Sequence, residues 1–439
     1  MVNFWLRYSI FKYNRFRNTT YPFCKAPYSS LFFDYKGNVF SCFANKQLCL
    51  GNYEHQTINE IWAGKPIKKL RKSIEEYSFN EGCHLCKNKV LQHQFSQVYA
   101  RRYDYLSLPI NDFPANIEVQ LSNQCNLRCI MCVVKTDKKS AINIGYFRNY
   151  LKDIIPYLKN ASFSGGEPFL IEEYFDIWED FYLLNKDCRI SVNTNATLLT
   201  DKVKEILKKL PFNISVSVDG YSKETFEQIR HNASRDLVYR NLDYFKQYTQ
   251  EKQTYFNVKI CALQQNIYEF PELFNYFNQQ NVAIMLNEVV YPLHTALWNL
   301  HSSKIKEILT FLTSHDPYFL NTYSNHHNQQ TWKELIKLVY RYFRDAEQFE
   351  AFLKKSKRNI NSLKEKTVKK ILPVFANHAE LTRFLTTLER FAQTEKELTT
   401  LYLFFMIAPF DRMIGEIEIR NESEIRLIVE NIITFFKWK

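Results

Sequence analysis

The stretch "NIEVQLSNQCNLRCIMC", residues 116–132, runs from a predicted strand straight into three closely spaced cysteines. "NIEVQLS" (116–122) reads as a β-strand. Cys125, Cys129 and Cys132 then fall in the first strand-to-helix loop, and in parallel α/β architectures the chemistry belongs at that C-terminal end of the strands. Three thiolates can hold three irons of a [4Fe–4S] cluster, whereas the usual electron-transfer cluster takes four cysteine ligands. Three ligands leave one iron open.

Downstream of this stretch, strand, loop and helix alternate regularly, the pattern of a parallel sheet with crossover helices. The further candidate strands are "ASFSG" (161–165), "RISVNT" (189–194), "NISVSVD" (213–219), "NVKICAL" (257–263) and "VAIMLNE" (282–288). Amphipathic stretches such as "YFRNYLKDIIPYL", "DKVKEILKKL" and "FPELFNYFNQQ" lie between them. Six consecutive βα units fit either an open doubly wound sheet or an incomplete (βα) barrel. Beyond about residue 300 the periodicity is helical almost throughout, which predicts a helical cap or a dimer surface.

The 439 residues exceed one ordinary domain. The composition is globular, with 46% hydrophobic and 24% charged residues. The formal net charge of +12 calls for an anionic partner or a solvated lysine surface. The basic runs "KPIKKLRK" (65–72) and "LKKSKR" (353–358) read as helix faces without a nucleic-acid motif, so no nucleic-acid partner is expected. At the start, "FWLRYSIFKYNRFR" interleaves aromatics with Arg7, Lys12, Arg15 and Arg17 as an interfacial helix does, but packing of this terminus onto the body is the expectation. No apolar run is long enough to span a bilayer and no signal-peptide core is seen, so a cytoplasmic location is expected. In a reducing compartment clustered cysteines read first as metal ligands or redox groups.

Five of the ten cysteines precede the triplet. Cys24 and Cys42 flank "KAPYSSLFFDYKGNVFS", read as two strands around a Lys36-Gly37-Asn38 turn, and Cys83 and Cys86 stand in "CHLC". A helix around "INEIWAGKPIKKLRKSI" is expected between the pairs. On ligand chemistry alone these four thiolates suit a structural zinc ion as readily as an iron–sulfur cluster. Cys49 is read as a buried structural residue or a displaced fifth ligand, and Cys188 and Cys261 as core residues.

The C-x3-C-x2-C spacing of Cys125, Cys129 and Cys132 resembles that of the radical S-adenosylmethionine (AdoMet) enzymes, and further motifs match in order. "SGGEP", Ser164 to Pro168, is similar to the family's glycine-rich segment. By that resemblance Gly165, Gly166, Glu167 and Pro168 are cofactor-binding candidates, and adjacent glycines suit a close backbone approach. "SVSVDGYSKETFEQIR" is similar to the segment that runs from a strand-end serine to an arginine. That match implies Ser217 for the ribose hydroxyls and Arg230 for the methionine carboxylate, which a planar guanidinium can bind bidentately. Asn193 and Asn195 in "VNTNAT" stand at the third strand's end among expected ligand contacts. The family's usual aromatic before the third cysteine is here Met131, which can pack on adenine. The resemblance implies AdoMet at the open iron, reductive cleavage to a 5'-deoxyadenosyl radical, and hydrogen abstraction from a substrate.

The stretch from Cys24 through "LGNYEHQTINEIWAG" to "CHLC" resembles the SPASM or twitch module, normally placed after such a barrel and here before it. The resemblance implies that Cys24, Cys42, Cys83 and Cys86 hold a second, auxiliary iron–sulfur cluster. The expected organisation is a twitch/SPASM-like domain over 1–110 built on a small β-hairpin and helix, a TIM-like partial (βα)6 barrel over 111–298, and a helical extension over 299–439. The implied partners are AdoMet, an external one-electron reductant of flavodoxin or ferredoxin type, and a substrate that is a peptide or protein side chain or, alternatively, a sugar or other small metabolite. A non-catalytic iron–sulfur or zinc scaffold is the alternative of another class. Glu288, Tyr291 and His294 in "NEVVYPLH" are the segment to watch for substrate contacts.

Overall fold

The computed structural model describes residues 4–19, 22–106, 108, 113–132, 143–355, 360–372, 378–409 and 422–436. Part of the basic run at 353–358 and the expected boundary at 110/111 lie outside the described residues. The chain divides into two units. The first holds residues 1–126, 134–215 and 241–255, and the second holds 127–133, 216–240 and 256–439.

In chain order the upstream elements are α1 (Phe4–Phe16), α2 (Ala26–Ser29), β1 (Ser30–Phe33), β2 (Asn38–Phe40), β3 (Gly51–Asn52), α3 (Ile58–Trp62), α4 (Lys65–Glu75) and α5 (His84–Leu91). The alternating region follows as β4 (Asn116–Val119), β5 (Arg128–Cys129), α6 (Ile144–Lys152), β6 (Asn160–Phe163), α7 (Glu172–Leu184), β7 (Arg189–Thr194), α8 (Asp201–Lys209) and β8 (Phe212–Ser217). Next come α9 (Lys223–Ile229), β9 (Arg230–His231), α10 (Arg235–Glu251), β10 (Phe256–Ala262), α11 (Phe270–Gln279) and β11 (Ala283–Glu288). The remainder is helical: α12 (Ser302–Ser314), α13 (Tyr323–Lys355), α14 (Ile360–Ile371), α15 (His378–Glu389), α16 (Glu395–Ile407) and α17 (Glu422–Phe435). The fold class is therefore α/β with parallel strands, a hairpin-and-helix region upstream and a helical region at the C-terminus.

In the first unit the strands are ordered β7-β6-β4-β1-β2-β3, with Phe212–Ser215 of β8 beyond β7. β4, β6 and β7 are parallel, as the crossover pattern predicts. β1 also joins β4 in parallel, Ser30 opposite Asn116 through Phe33 opposite Val119, so the upstream hairpin extends the same sheet. β1, β2 and β3 pair antiparallel. The segment expected as one helix over "INEIWAGKPIKKLRKSI" is two. α3 starts at a capping box, Thr57 with Glu60, and Gly64 caps α4 just ahead of a proline, which has no N–H to continue an incoming helix.

The inward face of α1, Leu6, Ile10 and Tyr13, joins Phe23, Ile74, Phe79, Val90 and Tyr103 in one buried cluster, so this terminus does pack onto its unit. Under the sheet, Trp178 is fully buried between Phe163 (5.6 Å) and Phe212 (5.2 Å), and Phe169 stacks on Phe245. Truncating such a tryptophan to alanine costs about 3–5 kcal/mol.

In the second unit β10 and β11 pair in parallel from Asn257 opposite Ala283 to Ala262 opposite Glu288. Asn328 of α13 accepts from the Ile284 N–H (2.7 Å) and donates to the Val282 carbonyl (2.9 Å), satisfying backbone groups in and just before β11 that would otherwise template another chain. α16 begins at a second capping box, Thr394 with Glu397.

Candidate functional site

Cys125 belongs to the first unit and sits where three strand ends meet. The loop after β6 is drawn against the loop after β4: Gly166 N–H donates to the Ser122 carbonyl (3.2 Å) and Glu167 N–H to that of Gln124 (2.7 Å). The two glycines are needed for this approach. Gly165 has φ +127°, and a Cβ on it would lie 2.1 Å from the Ser122 oxygen, while one on Gly166 would lie 1.8 Å from that of Gln124. Their close approach is thus to the chain's own cysteine loop.

Glu167 is fully buried and works as an organiser. Its carboxylate accepts from Thr194 Oγ1 (2.7 Å), Asn195 N (2.6 Å) and Phe169 N (3.1 Å), which fixes the turn after β7. Pro168 follows as the first residue of a short 3-10 turn, Pro168–Leu170. Held this way, Asn195 Nδ2 donates to Cys125 Sγ (3.7 Å) and to Asn126 Oδ1 (3.0 Å), while its Oδ1 accepts from Thr197 N and Oγ1. Asn193, two residues earlier, has a buried Oδ1 with no hydrogen-bond partner among the described residues. A buried acceptor of that kind calls for a water, an ion or a polar ligand.

Cys129, Met131 and Cys132 belong to the second unit. β5 pairs with β9 so that Cys129 stands opposite Arg230 and Arg128 opposite His231, and Ile130 N–H donates to the Ile229 carbonyl (3.0 Å). Across this ladder Arg230 Nη1 donates to Cys129 Sγ (3.8 Å), and Nη2 bonds Asp219 Oδ2. The pair is buried, 7% and 0% exposed at the side chains. Burial works against the guanidinium's charge, but the Asp219 carboxylate together with the Cys129 and Cys261 sulfurs outweighs it and raises the Arg230 pKa, so the cation is permanent. Arg230 Nε is buried without a partner among the described residues. Asp219 Oδ1 in turn accepts from Cys261 N (2.6 Å), and burial pushes the Cys261 thiol well up. Met131 is half-buried, and Ser217, also half-buried, ends β8.

The four upstream thiols line one cavity in the first unit, together with Phe23, Ala26, Asn45, Tyr99 and Tyr103. Each is met by an N–H donor. Cys24 receives the Ala26 amide, Cys42 those of Ala44 and Asn45, and Cys86 those of Tyr99 and Ala100. Cys83 receives the side chain of Asn45 (3.6 Å), whose Nδ2 also holds the Glu81 carbonyl (2.7 Å). Gly82, at φ +78°, makes room for Asn45, since a Cβ there would lie 2.1 Å from Asn45 Oδ1. Burial pushes the Cys42 thiol up to about 12 and also raises Cys24, Cys83 and Cys86, so iron is what would turn these thiols into ligating thiolates. Among the described residues no group of three or more His, Cys, Asp or Glu is gathered as for a single metal ion. Cys49 is exposed and bonds the Gly51 carbonyl, apart from the cavity lining, so it is not the buried residue expected.

The structure gives the downstream candidates local partners within the second unit. Glu288 bonds the Tyr342 hydroxyl and lies 3.8 Å from Arg341. His294 tilts against Phe435 at 5.2 Å, and burial lowers its pKa. Tyr291 precedes a cis bond to Pro292. Cys188 is buried at the start of β7. Asn45, Asn126 and Asp219 were not singled out by sequence, although Asn126 and Asp219 lie within the quoted motif segments, and the folded contacts show their use.

Comparison with known proteins matches two domain families on this chain. The Radical SAM superfamily model matches residues 119–270 and the iron–sulfur cluster-binding SPASM domain model matches residues 24–87. An uncharacterized protein of Methanocaldococcus jannaschii is 32% identical over 109 residues, covering 23% of this chain and 37% of that protein. The GTP 3',8-cyclase of Clostridium botulinum is 26% identical over 137 residues, covering 29% of this chain and 42% of that protein. The chain therefore spans less than half the length of these curated relatives. Among solved structures, SuiB of Streptococcus suis bound to S-adenosylmethionine overlaps 68% of this chain and 73% of that one, at 13% identity and TM-score 0.36. The two matched domains imply a [4Fe–4S] cluster with AdoMet and a further iron–sulfur cluster, and no helix among the described residues is long and apolar enough to cross a membrane. The chain carries a radical SAM domain over residues 119–270, with a SPASM-type cluster-binding domain ahead of it over residues 24–87.

Proposed function

We propose that this enzyme cleaves AdoMet reductively at a cluster held by Cys125, Cys129 and Cys132, and that the target of the resulting radical is a peptide or protein side chain. One observation carries the first half: two of the three thiols already have dedicated nitrogen donors, Asn195 on Cys125 and Arg230 on Cys129. Sulfurs that receive hydrogen bonds and lie near a fixed cation are suited to ligating a cluster that must accept an electron. When bound, the cluster and AdoMet supply that electron and a 5'-deoxyadenosyl radical that takes hydrogen from an unactivated carbon.

The chain's own residues then hold and orient. Glu167 fixes the turn that presents Asn193 and Asn195. Asn193 Oδ1 and Arg230 Nε, each buried and without a partner among the described residues, are available to the polar end of AdoMet. Ser217 at the end of β8 is the proposed ribose contact. Cys24, Cys42, Cys83 and Cys86 would hold the auxiliary cluster, each against an N–H donor, and an external reductant of flavodoxin or ferredoxin type would deliver the electron. The SPASM domain supports a peptide target, because peptide modification is the commoner role of the wider group.

The test is anaerobic reconstitution with iron and sulfide, then dithionite and AdoMet, with 5'-deoxyadenosine read by chromatography. Wild-type protein should form it well above a Cys125→Ala, Cys129→Ala, Cys132→Ala control. A cluster-loaded protein that forms none would sink the reading. A mass change confined to sugars, when peptide and sugar mixtures are offered in parallel, would overturn the peptide half alone.

A further inference from the structure

The inward face of α1 packs into its own unit, while the other face is largely exposed. Phe4 is 75% exposed, Trp5 66%, Phe11 57% and Phe16 50%, with Tyr8 exposed beside them. On a helix advancing 100° per residue, Leu6, Ile10 and Tyr13 share one side, and Phe4, Tyr8, Phe11 and Arg15 the opposite one, flanked by Trp5, Lys12 and Arg7. Single exposed apolar residues are ordinary; five aromatics on one arc of one helix form a patch.

The chemistry of the patch selects its partner. The helix carries Arg7, Lys12 and Arg15 and no acidic residue. Lys12 lies over the Tyr8 ring (4.5 Å) and Arg15 near that of Phe11 (5.9 Å), so cations and rings are interleaved on the same surface. Arg101 extends it, over the Phe16 ring at 5.0 Å. The neighbouring acid, Asp104, is neutralised by Arg17 at 2.8 Å. A protein interface also gathers aromatics and Arg, but it depletes Lys and keeps charge away from its fully buried centre. A bilayer's headgroup boundary takes the opposite arrangement, with Trp, Tyr and Phe rings at the level of the ester groups and Arg or Lys among the phosphates. We infer that the outward face of α1 docks this enzyme onto an anionic phospholipid surface, with the helix lying in the plane of the interface. This stands apart from the proposed reaction and does not depend on it.

The experiment is co-sedimentation of the full-length protein with vesicles of equimolar phosphatidylcholine and phosphatidylglycerol, beside vesicles of phosphatidylcholine alone. Binding to the anionic vesicles, weakened by salt, is the expected result. Each Arg or Lys near such a surface contributes roughly fivefold, so Arg7→Gln, Lys12→Gln and Arg15→Gln together should weaken binding on the order of 100-fold. Phe4→Ser, Trp5→Ser and Phe11→Ser together should weaken it about tenfold or more. All six side chains face solvent or lie partly exposed, so melting curves and iron content should match wild type. Should the aromatic variant fail that check, the charge variant decides. No binding to anionic vesicles, or binding that the charge variant leaves unchanged, would overturn the inference. So would duplex DNA binding through the same residues without vesicle binding, which would assign the patch to nucleic acid.

Discussion

Arg230 and Cys129 face each other twice, as partners in a two-residue antiparallel ladder and through a guanidinium that donates to the thiol at 3.8 Å. The ladder fixes the backbone, and Asp219 fixes the guanidinium, so a positive charge is held beside one sulfur of the triplet by structure that exists before any cofactor arrives. A fixed cation near a cluster ligand favours the more negative, reduced state of the cluster.

Replacing Arg230 with Gln should therefore lower the reduction potential of the triplet's cluster and slow AdoMet cleavage. It also strands Asp219 as a buried carboxylate, which costs about 3–5 kcal/mol. Arg230→Gln with Asp219→Asn should recover much of that stability and, since it also removes the stranded negative charge, leave the potential between those of the single variant and wild type. An EPR-monitored redox titration and denaturant melts on the two variants separate the effects. An unchanged potential in both would remove the tuning role.

Asn195 offers a milder lesion on the other thiol. Asn195→Ala removes its bonds to Cys125, Asn126 and Thr197, each worth about 0.5–1.5 kcal/mol net, and so should lower stability by roughly 1.5–4.5 kcal/mol. Asn195→Asp keeps the acceptor for Thr197 but sets a negative charge beside Cys125. It should depress cleavage more than the alanine variant and, as a buried carboxylate, destabilise at least as much. Single-turnover formation of 5'-deoxyadenosine, compared with melting midpoints, gives the two rankings.

Much of this was legible in the sequence. The six strands of the alternating region lie where the pattern placed them, because each is a short apolar run bounded by turn residues, a local signal. The Cys triplet was legible because its spacing is itself the chemistry. The parallel pairing of β1 with β4 was not, since the match of Ser30 to Asn116 joins residues far apart in the chain and leaves no local mark. Gly165 and Gly166 were read as making room for a ligand, and the structure gives them a nearer obstacle, the carbonyls of Ser122 and Gln124. Asn45 escaped notice because a lone asparagine near a cysteine reads as turn chemistry until its amide is found on Cys83.

Iron content discriminates the roles of the upstream thiols. If Cys24, Cys42, Cys83 and Cys86 hold a second [4Fe–4S] cluster, wild-type protein should carry about twice the iron of the Cys125→Ala, Cys129→Ala, Cys132→Ala variant. Asn45→Ala, which removes the donor on Cys83, should lower only the share that survives in that variant. Cys49→Ser should change nothing, since Cys49 is exposed and lies apart from the cavity lining. Stoichiometric zinc in place of that iron would end the case for an auxiliary cluster.

Cys188 gives a test of the fold through pH alone, away from any proposed ligand. Burial pushes its thiol from the ordinary 9.0 up to about 12. The folded chain thus keeps this proton after the unfolded chain has released it. The stability this group contributes is whole below pH 9, falls as pH rises toward 12, and is level beyond, by the rule that stability drops where the unfolded state binds fewer protons. A shift of that size corresponds to something on the order of 4 kcal/mol across the window. Other buried thiols and tyrosines titrate at high pH too, so the informative quantity is the difference between wild type and Cys188→Ala, measured by urea melts at a series of pH values. Alanine should carry a constant packing cost up to about pH 9, and that cost should then shrink and reverse as the wild-type thiol's burial becomes a liability. A difference that stays flat through pH 12 would mean that Cys188 meets solvent, or a charge that eases its ionisation, in the folded chain.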